Sequence, residues 1–110
     1  MTIDLNKHKE VFINEAQTHI KMMNFSLLEL EKNADQKLFH DLFRAVHTLK
    51  SLAATMNYQH TAKLCHVMED LLESIRHNEL SLYQCADLFF QCFDYLDANI
   101  KRLEIDEDEF

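Results

Sequence analysis

The chain has no glycine and no proline in 110 residues. This double absence restricts the fold more than any residue that is present. Strand proteins need tight turns, and those turns draw on the positive φ of glycine or the fixed φ of proline. A chain without either reads as long helices joined by short loops closed by Asn, Asp or Ser. Hydrophobic residues make up 47% of the chain, enough for one core. The length suits a single domain, taken as residues 1–110.

Eleven basic residues stand against 19 acidic ones, a formal charge of −8. That balance argues against a nucleic-acid partner, which wants a basic face. It argues equally against binding an anionic membrane surface. No apolar run is long enough to span a bilayer, and the opening "MTIDLNKHKE" lacks the apolar core of a signal peptide. Cys65, Cys85 and Cys92 are odd in number and form no C-x-x-C pair. Reduced thiols in a cytoplasmic protein are therefore expected, each acting as a small buried hydrophobe.

Four apolar stripes run at helical spacing. The first helix is expected over 4–32, with Leu5, Phe12, Ala16, Met23, Leu27 and Leu30 inward. "KNADQ" breaks it, and Asp35 can cap the next helix. The second covers 36–56, with Leu38, Leu42, Ala45, Leu49, Ala53 and Met56 inward. Asn57 then stands where a left-handed C-terminal residue is wanted, a conformation Asn tolerates. The third covers 58–76, with Leu64, Cys65, Met68, Leu71, Leu72 and Ile75 inward, and Asn78 is its stop. Ser81 and Gln84 have the spacing of a capping box. The fourth helix buries Leu82, Cys85, Ala86, Phe89, Phe93, Leu96, Ile100 and Leu103. The expected fold is all-α, an antiparallel four-helix bundle with room for one further short helix at the C-terminus. The acidic run at 105–110 is expected to fray.

Opposite the core stripe of the second helix, at about 100° per residue, His47 points outward. His40, Phe43, Arg44, Lys50, Ser51 and Ala54 surround it on neighbouring turns. Ser51 and Ala54 are small and leave the imidazole accessible to something large, and Phe43 is an apolar residue beside it. On the third helix His66 and Glu69 are three apart, on the margin of the stripe. If helices two and three are antiparallel neighbours, both can approach His47 and Lys50. A neutral imidazole is a nucleophile at whichever nitrogen lacks the proton. A carboxylate on the other nitrogen fixes the tautomer and raises basicity. Glu69 is the candidate for that role. Lys50 is the candidate ammonium for phosphoryl oxygens. Two other readings stand beside this one. His47, His66 and Glu69 could ligate a metal, although bundle metal sites sit in the core and His19 is the one further inward donor on helices one and four. The chain could also be a structural or adaptor bundle without an active phosphosite.

Residues 42–76, "LFRAVHTLKSLAATMNYQHTAKLCHVMEDLLESIR", resemble the histidine-phosphotransfer (HPt) domain, most closely the N-terminal one of chemotaxis-type (CheA) histidine kinases. The family pattern is H-x-L-K-G, small residues, Gly-aromatic, then L-x-H-x-x-E-D-L-L-x-x-x-R. It is matched here by His47-Thr48-Leu49-Lys50, Ala53-Ala54, Asn57-Tyr58, and Leu64 to Leu72 followed by Arg76. The resemblance implies that His47 is the phosphoacceptor. It implies that Lys50, His66 and Glu69 form the polar network around it; Phe43, Arg44, Ser51 and Ala54, beside His47 on the same helix, are the expected docking face. It also implies a phosphocarrier without a nucleotide site of its own. ATP and Mg²⁺ would be bound by partner domains, a histidine-kinase catalytic domain and a response-regulator receiver bearing an acceptor Asp. No phosphate-cradling glycine loop is available in a chain without glycine. Ser51 and Asn57 depart from the family's glycines, and Leu52 stands where a small residue is common. Whether such a chain is a free-standing carrier or one domain of a kinase stays open at this point.

Overall fold

The computed structural model describes residues 5–109. Four helices follow one another: α1 (Leu5–Lys32), α2 (Gln36–Thr55), α3 (Gln59–Arg76) and α4 (Leu82–Glu104). Each packs on two others, α1 on α2 and α4, and α3 on α2 and α4, which closes a four-helix bundle. No strand occurs among the described residues. The expected start of α1 at Asp4 and the side chain of Leu5 lie outside the described residues.

The stripes meet in one core. Phe89, Phe93, Met23, Leu27, Leu42, Leu49, Met68, Leu72, Leu96 and Ile100 are fully buried. Leu38, Met56, Leu64, Leu71, Ile75 and Leu82 pack at its margin and are partly buried. Ile13, Ile20 and Val46 join the core without having been counted in the stripes. Cys65 and Cys85 are buried, whereas Cys92 is half-buried and packs against the core from outside. Burial pushes the Cys65 thiol up to about 12, with lesser contributions from neighbouring charges. A thiol so rarely ionised is a packing group.

The glycine-free helix ends are solved by Asn and Asp. Asn57, Asn78 and Asp106 all have φ between 60 and 62°. After α2, Tyr58 N–H donates to the Ala53 carbonyl at 2.8 Å and Asn57 N–H to that of Ala54 at 3.1 Å. After α3, Glu79 N–H reaches Ser74 at 2.9 Å and Asn78 N–H reaches Ile75 at 3.0 Å. After α4, Glu107 N–H reaches Arg102 at 2.9 Å and Asp106 N–H reaches Leu103 at 3.2 Å. These are Schellman closures, with a short polar residue where glycine usually stands. At the N-termini, Asp35 accepts from Lys37 N–H at 2.8 Å. Ser81 and Gln84 form the expected capping box.

The C-terminal segment corrects two expectations. Among the described residues no further helix follows α4. Residues 106–109 of the acidic run are also tied down rather than frayed. Lys9 Nζ donates to Asp106 at 2.9 Å, and Arg102 Nε to the Asp108 carbonyl at 2.8 Å. Glu109 accepts from the backbone N–H groups of His60 and Thr61 at 3.0 and 2.8 Å, and from the Thr61 hydroxyl at 2.7 Å. Tyr58 gives α3 no side-chain cap. Glu109 supplies that cap from a distant part of the chain, where the helix N-terminus attracts negative charge.

Candidate functional site

The site lies between α2 and α3. The short 56–58 connection folds α3 back along α2, so Glu69 arrives level with His47 and Lys50. Its carboxylate takes both. His47 Nδ1 lies 2.8 Å from Glu69 Oε2, and Lys50 Nζ donates to Oε1 at 2.9 Å. The Glu69 side chain is 16% exposed and that of His47 is 54% exposed. The acid is thus held inside the helix pair while the ring faces solvent.

Partial burial works against ionisation of Glu69. The hydrogen bonds from Lys50 and His47, with their charges, outweigh it and hold the carboxyl below the usual glutamate value. A carboxylate accepting at Nδ1 assigns the proton to that nitrogen. The Nε2 lone pair is then the free nucleophile of the ring.

The surrounding side chains shape access to it. Phe43, one turn before His47, is half-buried against the core. Its ring is nearly parallel to the imidazole, with 7° between planes and 6.3 Å between centroids. Arg76 lies over the Phe43 ring, with Cζ 4.5 Å from its centroid and 5.8 Å from that of Phe39. Arg44, Ser51 and Ala54 are exposed on the same outer face of α2. The Ser51 hydroxyl donates back to the His47 carbonyl at 3.2 Å, which folds it onto its own helix.

His66, expected in the network, faces Asp70 of its own helix. Its Nε2 lies 3.4 Å from Asp70, and the side chain is 61% exposed. It sits three residues before Glu69, about 60° from it round α3. The alternative metal set of His47, His66 and Glu69 is not assembled among the described residues. No group of three or more His, Cys, Asp or Glu able to hold a metal occurs among the described residues. His19, the further donor on α1, instead faces Glu15 of its own helix at 3.8 Å. The position of Arg76 over Phe43 had no sequence signal beyond its place in the family motif. An antiparallel register pivoting on the 56–58 connection could have suggested it.

Comparison with known proteins identifies the family and the fold. Residues 9–105 match the family described as the Hpt domain. The chemotaxis protein CheA of Bacillus subtilis is 38% identical over 103 residues, covering 92% of this chain and 15% of that protein. The CheA of Listeria monocytogenes is 35% identical over 97 residues, covering 86% of this chain and 16% of its own length. The chain thus spans about one-sixth of these relatives. Among solved structures, the CheA phosphotransferase domain from Thermotoga maritima superposes with a TM-score of 0.82 at 34% identity, covering 93% of this chain and 98% of that one. With a matched family spanning nearly the whole bundle, and relatives of this identity, the chain belongs to the Hpt domain family.

Proposed function

We propose that this chain is a phosphocarrier in a chemotaxis-type phosphorelay and that Nε2 of His47 carries the phosphoryl group. The observation that supports this best is the division of labour within one ring. Nδ1 is engaged by Glu69 at 2.8 Å, while the side chain that bears Nε2 is largely open to solvent.

In the first step the Nε2 lone pair attacks the γ-phosphorus of ATP held by a separate kinase domain. The P–N bond forms as the bond to the β,γ-bridging oxygen breaks, and ADP leaves with that electron pair. The ring gains positive charge, which the Glu69 carboxylate stabilises through Nδ1–H. In the second step a carboxylate oxygen of an aspartate on a receiver domain attacks phosphorus. The P–N bond breaks and its electron pair returns to Nε2. Lys50, anchored on Glu69, offers its remaining N–H donors to the phosphoryl oxygens. Phe43 covers the neighbouring turn, and Arg44, Ser51 and Ala54 provide the surface on which the partners dock. ATP and Mg²⁺ belong to those partners, where the metal neutralises charge on the transferring group. Dependence on ATP puts the reaction in the cytoplasm.

Incubation with ATP and a CheA-type kinase core tests the reading. The expected product is an acid-labile, base-stable phosphate on His47, absent from a folded His47→Gln variant. An unlabelled wild-type chain, or a label that survives in His47→Gln, would overturn it.

A further inference from the structure

Lys37, His40, Arg44, His47 and Ser51 follow one another on α2 at spacings of three and four, so they form a single stripe along one face. All five are exposed. Among the described residues Lys37, His40 and Arg44 enter no ion pair. Their helix holds Lys37, Arg44 and Lys50 against one acid, Asp41, and is the one helix with a net positive charge in a chain of −8. The positive charge of Lys50 is already matched by Glu69. The free cations therefore lie on the Lys37–Arg44 side of His47. There a groove lined by Lys37, Phe39, His40, Ile75 and Arg76 continues the surface onto α3.

A partner that receives a phosphoryl group on an aspartate with the help of Mg²⁺ must cluster carboxylates. The acceptor is one, and Mg²⁺ is held through one or two more together with the phosphate. Such a rim is repelled by most of an acidic chain and attracted to this stripe. We propose that Lys37 and Arg44, with His40 between them as a polar contact, form a cationic track that docks the carboxylate-rich rim of the receiver and steers its aspartate onto His47. This rests on the phosphocarrier reading and adds the chemistry of the recognised surface and the direction from which it approaches.

The test starts from the full chain already phosphorylated on His47, mixed with receiver and Mg²⁺. The second-order transfer rate is followed from about 0.05 to about 0.5 M salt, across which the screening length shortens several-fold. The expected result is a rate that falls by about tenfold or more as salt rises. At low salt the Lys37→Glu/Arg44→Glu variant should transfer about tenfold more slowly than wild type, with a much flatter salt profile. Lys21→Glu/Lys63→Glu, an equal charge change at exposed lysines off the stripe, should slow transfer far less. A wild-type rate that is flat or rising with salt overturns the proposal, as does an equal loss in the two double variants. Salt dependence confined to the labelling step would transfer the track to the nucleotide-bearing kinase and overturn the choice of receiver. Failure of His47 to take label at all is a separate result, and it overturns the phosphocarrier reading beneath.

Discussion

At position 47 one ring meets two environments, and Glu69 makes the difference between them. Glu69→Ala removes the acceptor at Nδ1 and leaves the ring free to change tautomer and rotate. Phosphorylation of His47 by a kinase core should then slow on the order of tenfold or more, read as the initial rate of labelling. The pair also contributes to stability. The Glu69 carboxyl is held below its usual value in the fold, chiefly by Lys50 and His47 against the opposing cost of burial. A depressed acid stabilises the fold above its unfolded value and loses that contribution as pH falls through its folded value. Unfolding midpoints of wild type and Glu69→Gln should therefore converge as pH drops below about 4.3, the ordinary glutamate value. A constant gap across that range would speak against the pairing. The meeting of His47, Lys50 and Glu69 was anticipated from Glu69 on the margin of the α3 stripe and a short connection that brings α3 beside α2, although helical spacing alone pointed His47 straight outward. The contact of His66 with Asp70, one turn along its own helix, was not, because a stripe reading does not resolve which neighbour a side chain at its margin takes.

At the scale of an element, helix ends carry most of the information about this fold. Asn57 occupies the left-handed region at φ 62°. Asn57→Ala keeps a Cβ in that region but removes the side-chain amide and its hydrogen bond from Gln59, and should cost about 1 kcal/mol in urea unfolding. Asn57→Gly should be neutral or slightly stabilising. The absence of glycine and proline foretold a helical chain, and Asn57 and Asn78 could be recognised as its stops. Asp106, which does the same job, was hidden inside an acidic run. Four successive acids read as solvated tail, and nothing in their spacing tells that one of them turns the backbone.

Across the whole molecule, the end of the described chain clamps the first turn of α3 through Glu109. Glu109 reaches Thr61 over 48 positions of sequence, and Asp106 reaches Lys9 over 97. Contacts between such distant segments leave no periodic trace, which is why the clamp was not foreseen. Thr61 and Asn99, both fully buried, lie beneath it, with Asn99 Nδ2 3.5 Å from the Thr61 hydroxyl. Glu109→Ala removes the acceptor for two backbone donors and should destabilise the domain by about 1 kcal/mol, the usual worth of a helix cap. Amide exchange at His60 and Thr61 should speed up, while exchange in the second half of α3, near Glu69, should change little. Unchanged exchange at both amides would show that the segment does not cap α3.

The ring itself offers the most direct measurement. The chain is labelled with ¹⁵N histidine and phosphorylated by a kinase core, and the nitrogen bonded to phosphorus is identified by its phosphorus–nitrogen coupling. The expected product is a single phosphohistidine, at position 47, bonded through Nε2, with Nδ1 still protonated. Phosphorus on Nδ1, or on any other histidine, would contradict it.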